Sequence, residues 1–241
     1  MPHGLDRLIA LGKITPTHPA TTPQDSASLI ILDRTGPSPK VLLGRRHEGH
    51  AFMPGRFVFP GGRVETVDAA IPSASELVSE AAAKLMQGAS ARRARALALA
   101  AIRETFEETG LMLGVKRAPV PSAAQGLWSA FAEAGIYPDL AALHFVARAI
   151  TPPGLPRRFD TRFFAVDAQA IAHRVDGIVG PQAELVELVW VPIDETDRLG
   201  LHAITAAILD ELKARAAAGM AHGLPVPFYR MKNRRFLREL L

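Results

Sequence analysis

Arg103-Glu104-Thr105-Phe106-Glu107-Glu108-Thr109-Gly110-Leu111 sets three carboxylates, one guanidinium and a glycine within nine residues. Wound as a helix at about 100° per residue, Glu104 and Glu108 lie about 40° apart and Glu107 falls just to their other side. The three acids therefore share a face. Leu99, Ile102 and Phe106 recur at i, i+3 and i+7 on the opposite side, which supplies a buried stripe behind the acidic one. Gly110 ends the pattern, because glycine enters the left-handed C′ conformation without steric cost. Ser90 is positioned to cap the other end, so the spacing predicts a helix over about 91–109, rich in alanine and arginine. Three like charges on one face, near the negative end of the helix dipole, repel one another. A hard divalent cation offsets that repulsion, since Mg²⁺ takes carboxylate oxygens and keeps positions open for water and phosphate. Taken alone, the acids read first as a solvated face.

Upstream stands Phe59-Pro60-Gly61-Gly62-Arg63-Val64-Glu65. Glycines without Cβ atoms let the main chain turn sharply and approach a ligand. Phe-Pro-Gly-Gly followed by Arg-Glu-x-x-Glu-Glu-x-Gly resembles the Nudix box, the signature of hydrolases that cleave a diphosphate linked to another group. The family pattern places five residues between its glycine and an acid, then seven before the arginine; here Asp68 takes the acid's place and thirty-four residues separate it from Arg103. An insertion of about twenty-seven residues in the loop before the helix accounts for the difference, a length that loops absorb at modest entropic cost. Insertion at this place resembles the subgroup that includes the peroxisomal coenzyme A diphosphatases. Gly55, three residues and Phe-Pro-Gly-Gly, together with Leu42-Leu43-Gly44-Arg45-Arg46, resemble in part a motif of coenzyme A-cleaving members, with Gly44 in place of threonine and Arg56 in place of glutamine.

The resemblance implies a Nudix α/β/α sandwich with a mixed central sheet and a helical insertion inside the box. It also implies Mg²⁺ or Mn²⁺ held by Glu104, Glu107, Glu108 and the Gly61 carbonyl, with Arg103 orienting the acids. Glu184 or Glu187, or a box glutamate free of metal, would accept a proton from the attacking water. The substrate class implied is a diphosphate-linked small molecule. Coenzyme A or an acyl derivative comes first, with ADP-ribose, dinucleotides and nucleoside triphosphates open. Arg46, Arg56, Arg63 and Arg158 are candidates for its phosphates, Arg157 beside them, and Phe163 or Phe164 for stacking on a base. A Nudix-fold ligand sensor without turnover is the rival from another class, and it would not need all the box acids.

The rest of the chain bounds these readings. At 241 residues it can bury a full core in one domain. Zero cysteines exclude disulfides, thiolate zinc sites and a cysteine nucleophile. The eight histidines show no zinc-type spacing, and no Gly-x-Ser-x-Gly elbow supports a serine hydrolase. A net charge of +4 suits anionic substrates. No eighteen-residue apolar run or signal core is present, so the expectation is a cytoplasmic protein with no membrane partner. Residues 1–24 read as a poorly ordered or surface-wrapping arm. Ser28–Leu32 and Val41–Leu43 flank a Gly/Pro turn as a hairpin, and residues 143–150 and 157–166 read as strands. Residues 69–92 form the insertion, with a helix starting near Pro72-Ser73 and a role as lid, dimer contact or substrate-selecting wall. Residues 197–241 read as a helical C-terminal segment, its first part core or homodimer packing. Its basic tail reads as a solvated helical face rather than a nucleic-acid site.

Overall fold

The computed structural model describes residues 4–10, 17–19, 21–49, 53–118 and 126–241. In chain order, α1 (Gly4–Ile9) precedes β1 (Gln24–Asp33), β2 (Lys40–Arg46), β3 (Phe57–Val58) and β4 (Gly61–Arg63). Helices α2 (Ser79–Leu85) and α3 (Ala91–Thr109) follow, then β5 (Leu111–Leu113), β6 (Val115–Lys116), α4 (Trp128–Glu133) and β7 (Ile136–Tyr137). The remainder is β8 (His144–Ile150), β9 (Phe159–Asp167), β10 (Ile171–Arg174), β11 (Leu185–Pro192), α5 (Ala203–Ala217), β12 (Pro227–Lys232) and β13 (Arg235–Leu240).

The central sheet has the order β11-β2-β1-β9-β8-β12-β13, with β3 added on β2 and β4 on β1. It is mixed: β1 runs parallel to β9 and β8 parallel to β12, and the other neighbours are antiparallel. Alternation along β1 explains why both faces are covered. Ala27, Leu29 and Ile31 pack with α3, while Ile30 and Leu32 pack with Leu8 of α1 and Ile208, Leu209 and Leu212 of α5. The layers are helix, sheet, helix, as the sequence predicts. The β1–β2 hairpin is also as predicted, pairing Leu32 with Val41.

Helix α3 starts where expected, its Ser90 Oγ accepting from Arg93 N at 3.2 Å, and ends at Gly110 with φ +75°. Thirteen of its nineteen residues are buried, which makes it a core element and not a surface helix.

Within the N-terminal arm, residues 1–3, 11–16 and 20 lie outside the described residues; α1 packs against α5, with Leu8 buried and Arg7 bonded to Asp210 at 2.6 Å and Asp197 at 2.8 Å. Two expectations are corrected. Helix α2 begins at Ser79, not near Pro72-Ser73, because Arg95 of α3 holds the preceding stretch extended through Ser73 Oγ at 2.9 Å and Glu76 at 2.9 Å. The tail beyond α5 is a β-hairpin and not a helix. Asn233 and Arg234 both adopt positive φ, +50° and +61°, as a two-residue hairpin turn requires. Two basic residues of this tail are paired, Arg230 with Glu239 at 2.6 Å and Arg238 with Glu211 of α5 at 2.7 Å, while Lys232, Arg234 and Arg235 are exposed. Among the described residues no helix is long and apolar enough to cross a membrane.

Candidate active site

The glycine turn and the acidic face of α3 meet because β4 pairs with β1, placing Gly61 opposite Ser28 and Gly62 opposite Ala27, directly beside α3. Gly61 N donates to Glu108 Oε2 at 3.1 Å. A Cβ on Gly62 would lie 2.4 Å from the Glu104 carboxyl carbon, and one on Gly61 would lie 2.4 Å from the Ala27 carbonyl oxygen. The turn therefore has no room for side chains on either side. The two glycines differ in what would yield. Glu104 is the mobile end of a side chain, whereas Ala27 is backbone. Gly62→Ala is accordingly expected to leave thermal stability close to wild type and to lower kcat/KM on the order of 100-fold by displacing the carboxylate. Melting temperature and kinetics measured on one preparation check this, and unchanged turnover would show that Glu104 need not occupy this place.

Arg103 holds the acids from behind. It is 2% exposed. Its Nε and Nη2 donate to Asp68 at 2.9 and 3.2 Å, its Nη1 to Glu104 at 3.0 Å and Glu107 at 3.3 Å, and its Nη2 to the Arg63 carbonyl at 2.8 Å. Burial works against this charge, but Asp68 and Glu104 outweigh it and hold the guanidinium firmly protonated. On the other flank Arg46 bridges Glu184 at 2.6 Å and Glu108 at 3.7 Å.

Burial pushes the Glu104 carboxyl up to about 7, with Arg103 opposing and Glu107 adding to the rise. Glu108, 5% exposed, is raised well above the usual range by burial, with Arg46 opposing and Glu184 adding. These two acids lack sufficient positive charge for their environment.

Among the described residues no three acidic or imidazole side chains already converge as a closed metal cage. Mg²⁺ is typically bound by one or two carboxylates with water and substrate phosphates completing its shell, so an all-protein cage is not what it needs. Hard oxygen donors, a charge deficit and an adjoining cavity fit such an ion.

The cavity has a volume of about 1080 Å³, and Gly61, Arg103, Glu104, Glu107, Glu108, Arg46, Arg63 and Glu184 all line it. A crystal structure of a NUDIX hydrolase from Alicyclobacillus acidocaldarius matches this fold with a TM-score of 0.62 and 30% sequence identity, over 80% of this chain and 92% of that one. This chain belongs to the Nudix hydrolases. Two more distant structures are a Nudix hydrolase from M. smegmatis, RenU, at 17% identity over 82% of this chain and 88% of its own, TM-score 0.42, and the NUDIX domain of Shewanella oneidensis NrtR complexed with ADP ribose, at 11% identity over 81% and 90%, TM-score 0.45. No protein-family model and no curated protein matches the chain.

Four candidates of the sequence reading, Glu187, Arg56, Arg158 and Phe164, do not reach the cavity of this Nudix hydrolase. Glu187 lies in the β11–β2 ladder opposite Arg45, which it pairs at 2.9 Å, while Glu184, just before β11, lines the cavity. Arg56 donates to the Gly200 carbonyl at 2.7 Å. Arg158 donates to the carbonyls of Thr151, at 3.0 Å, and Thr21, so Arg157, not Arg158, lines the cavity. Phe163 also lines it, whereas Phe164 is buried on the opposite face of the sheet with the α3 cluster. The sequence reading gave no role to Asp68, which is fully buried and anchors Arg103. Its place at the family's acid position was the signal available. It also missed Arg93, which lines the cavity and pairs with Asp25 at 2.7 Å.

Proposed function

We propose that this Nudix hydrolase cleaves the diphosphate linkage of a nucleotide-like substrate, X-diphosphate-Y, into two monophosphates, with coenzyme A or an acyl-coenzyme A as its substrate and Mg²⁺ or Mn²⁺ as its cofactor. The observation that carries this reading is the meeting of two charge-deficient glutamates, Glu108 buried and Glu104 partly so, with the glycine turn and Arg46 and Arg63 in a single cavity. Glu104, Glu107, Glu108 and the Gly61 carbonyl would hold the metal. When bound, such an ion neutralises phosphate oxygens and acidifies water.

The chain's own groups do the rest. Arg103 fixes the Glu104 and Glu107 carboxylates through donors from a single guanidinium, so their oxygens are aimed before substrate arrives. Arg46 and Arg63 offer positive charge to the non-bridging phosphate oxygens. Glu184, half exposed at the cavity edge and oriented by Arg46, accepts the proton of the attacking water. Glu187 has no part in this scheme because it stands in the ladder facing Arg45.

A panel of coenzyme A, acyl-coenzyme A, ADP-ribose, dinucleotides and nucleoside triphosphates, each with Mg²⁺ and Mn²⁺, tests the reading by mass spectrometry of the products. The expected result is metal-dependent release of adenosine 3′,5′-bisphosphate and a phosphopantetheine from coenzyme A or its acyl forms. Cleavage of ADP-ribose or a dinucleotide instead would move the substrate and retain the reaction class. Tight binding without new monophosphates from any of them would replace the enzyme with a ligand sensor.

A further inference from the structure

The cavity extends well beyond the carboxylates, and the sheet register shows where it goes. Ser26 of β1 stands opposite Thr161 of β9, Thr161 opposite Ala149 of β8, and Ala149 opposite Tyr229 of β12. All four line the cavity. They form one cross-strand row, three strand spacings long, or about 14 Å from the glycine turn to the C-terminal hairpin. Ser26 and Thr161 satisfy each other's hydroxyls at 2.7 Å, so this part of the floor presents little unmet polarity. Leu8 of α1 and Ile204 of α5 line the cavity from the helical layer, and Phe163 and Phe236 from the sheet.

Charge is distributed unevenly along this trough. Arg46, Arg63 and Arg103 belong to the acid end, whereas Arg93, at the other end of α3, is paired with Asp25 on the cavity wall. Arg157 is exposed. At the hairpin end, Tyr229 and Arg238 are both hydrogen-bonded to Glu211 of α5, and neither Glu211 nor Arg238 lines the cavity. That network ties the hairpin to α5, and the inward surface at this end is made by Leu8, Ile204, Tyr229 and Phe236 with His202 and Thr205 beside them. A volume of about 1080 Å³ is at the upper end of small-molecule sites, more than a diphosphate fills.

We infer that the trough from Ala149 to Phe236 binds an elongated, uncharged hydrocarbon portion of the substrate, on the side of the diphosphate remote from Arg46, Arg63 and Arg103, with the exposed Arg157 at its rim. The inference rests on the diphosphate-hydrolase reading and adds a selectivity to it. The occupant is continuous with the reacting group, because the apolar trough and the carboxylate site are one cavity. Burying a methylene is worth about a threefold to fourfold gain in affinity, so chain length becomes a measure of the site.

Titration calorimetry of the full-length protein in Mg²⁺ with ethyl, butyl and octyl diphosphate tests this independently of turnover. The dissociation constant is expected to fall at least tenfold from ethyl to octyl, with a negative heat-capacity change that grows with chain length. Ala149→Phe, which fills the centre of the floor, should shrink that ratio to below threefold. Ile204→Asn, on the helical side, provides the same test if the first variant does not fold. Equal affinities across the series in the wild type, or a ratio unchanged in the folded variants, would overturn the hydrocarbon site and leave the hydrolase reading standing. No binding of any member, ethyl diphosphate included, would overturn both.

Discussion

Glu108→Gln is expected to lower kcat/KM about 1000-fold or more while making the metal-free protein more stable at pH 8. The activity loss follows from removing one negative oxygen donor where several kcal/mol of charge stabilisation is needed, and about 4 kcal/mol corresponds to three orders of magnitude. Glutamine keeps the shape and can still accept from Gly61 N–H, so the turn has no reason to move. The stability gain follows from linkage. An acid whose folded pKa is raised binds more protons folded than unfolded, so its contribution is intact below the unfolded value and declines as pH rises through the folded one. For Glu104 that window runs from 4.5 to about 7, a loss on the order of 3 kcal/mol by pH 8. Glu108, with its carboxyl also raised, continues the decline in the same direction. Thermal melts in chelator from pH 5 to pH 8.5 should therefore fall for the wild type, fall less for Glu108→Gln, and recover on adding Mg²⁺ to the wild type. A variant that keeps its turnover, or that melts below the wild type at pH 8, would show that Glu108 is not a charge-deficient metal ligand.

Whether a feature could be read from the chain depended on how local its cause is. Helix α3 carries its own instructions: a serine cap, a stripe at helical spacing, a glycine stop. The acids' common face follows from the same periodicity. The hairpin Pro227–Leu240 does not carry its instructions within itself. Its arginines look solvated until Glu211, on another element, is known to receive Arg238, and Asn233-Arg234 is a weaker turn signal than a glycine would be. The arginines of the site show the same limit. Arg56 and Arg158 match Arg63 and Arg157 in type and neighbourhood, yet the first two are taken up by backbone carbonyls brought near by folding. Between Glu184 and Glu187 the partner arginine decides: Glu184, just before β11, is taken by Arg46 at the cavity, whereas Glu187 within the ladder is taken by Arg45 on the other face of β2.

Asp68→Asn is expected to destabilise the fold by about 3–5 kcal/mol, the cost of removing one partner of a buried ion pair, which in a chain of this size is about a 10 °C fall in melting temperature. Asp68 has no exposed surface and accepts from four donors: Arg103 Nε and Nη2, Trp128 Nε1 at 3.2 Å and Glu65 N at 2.8 Å. It thereby joins the loop after the glycine turn, helix α4 and the arginine behind the acids. Asparagine would keep the size but remove the charge, and its amide group would meet donors where an acceptor is required. Arg103 would then be a buried cation short of its counter-ion, and the acids within its reach are Glu104 and Glu107, with the exposed Glu65 farther off at 3.9 Å. Tighter pairing with those acids withdraws them from the cavity. Because Asp68 does not line the cavity, the kinetic loss should fall on kcat with KM little changed, which purely structural damage at a distance would not single out. Asp68→Glu, which restores the charge on a longer arm, should recover stability in part and kcat with it. Recovery of stability without recovery of kcat would separate Arg103's hold on the loop from its hold on the glutamates.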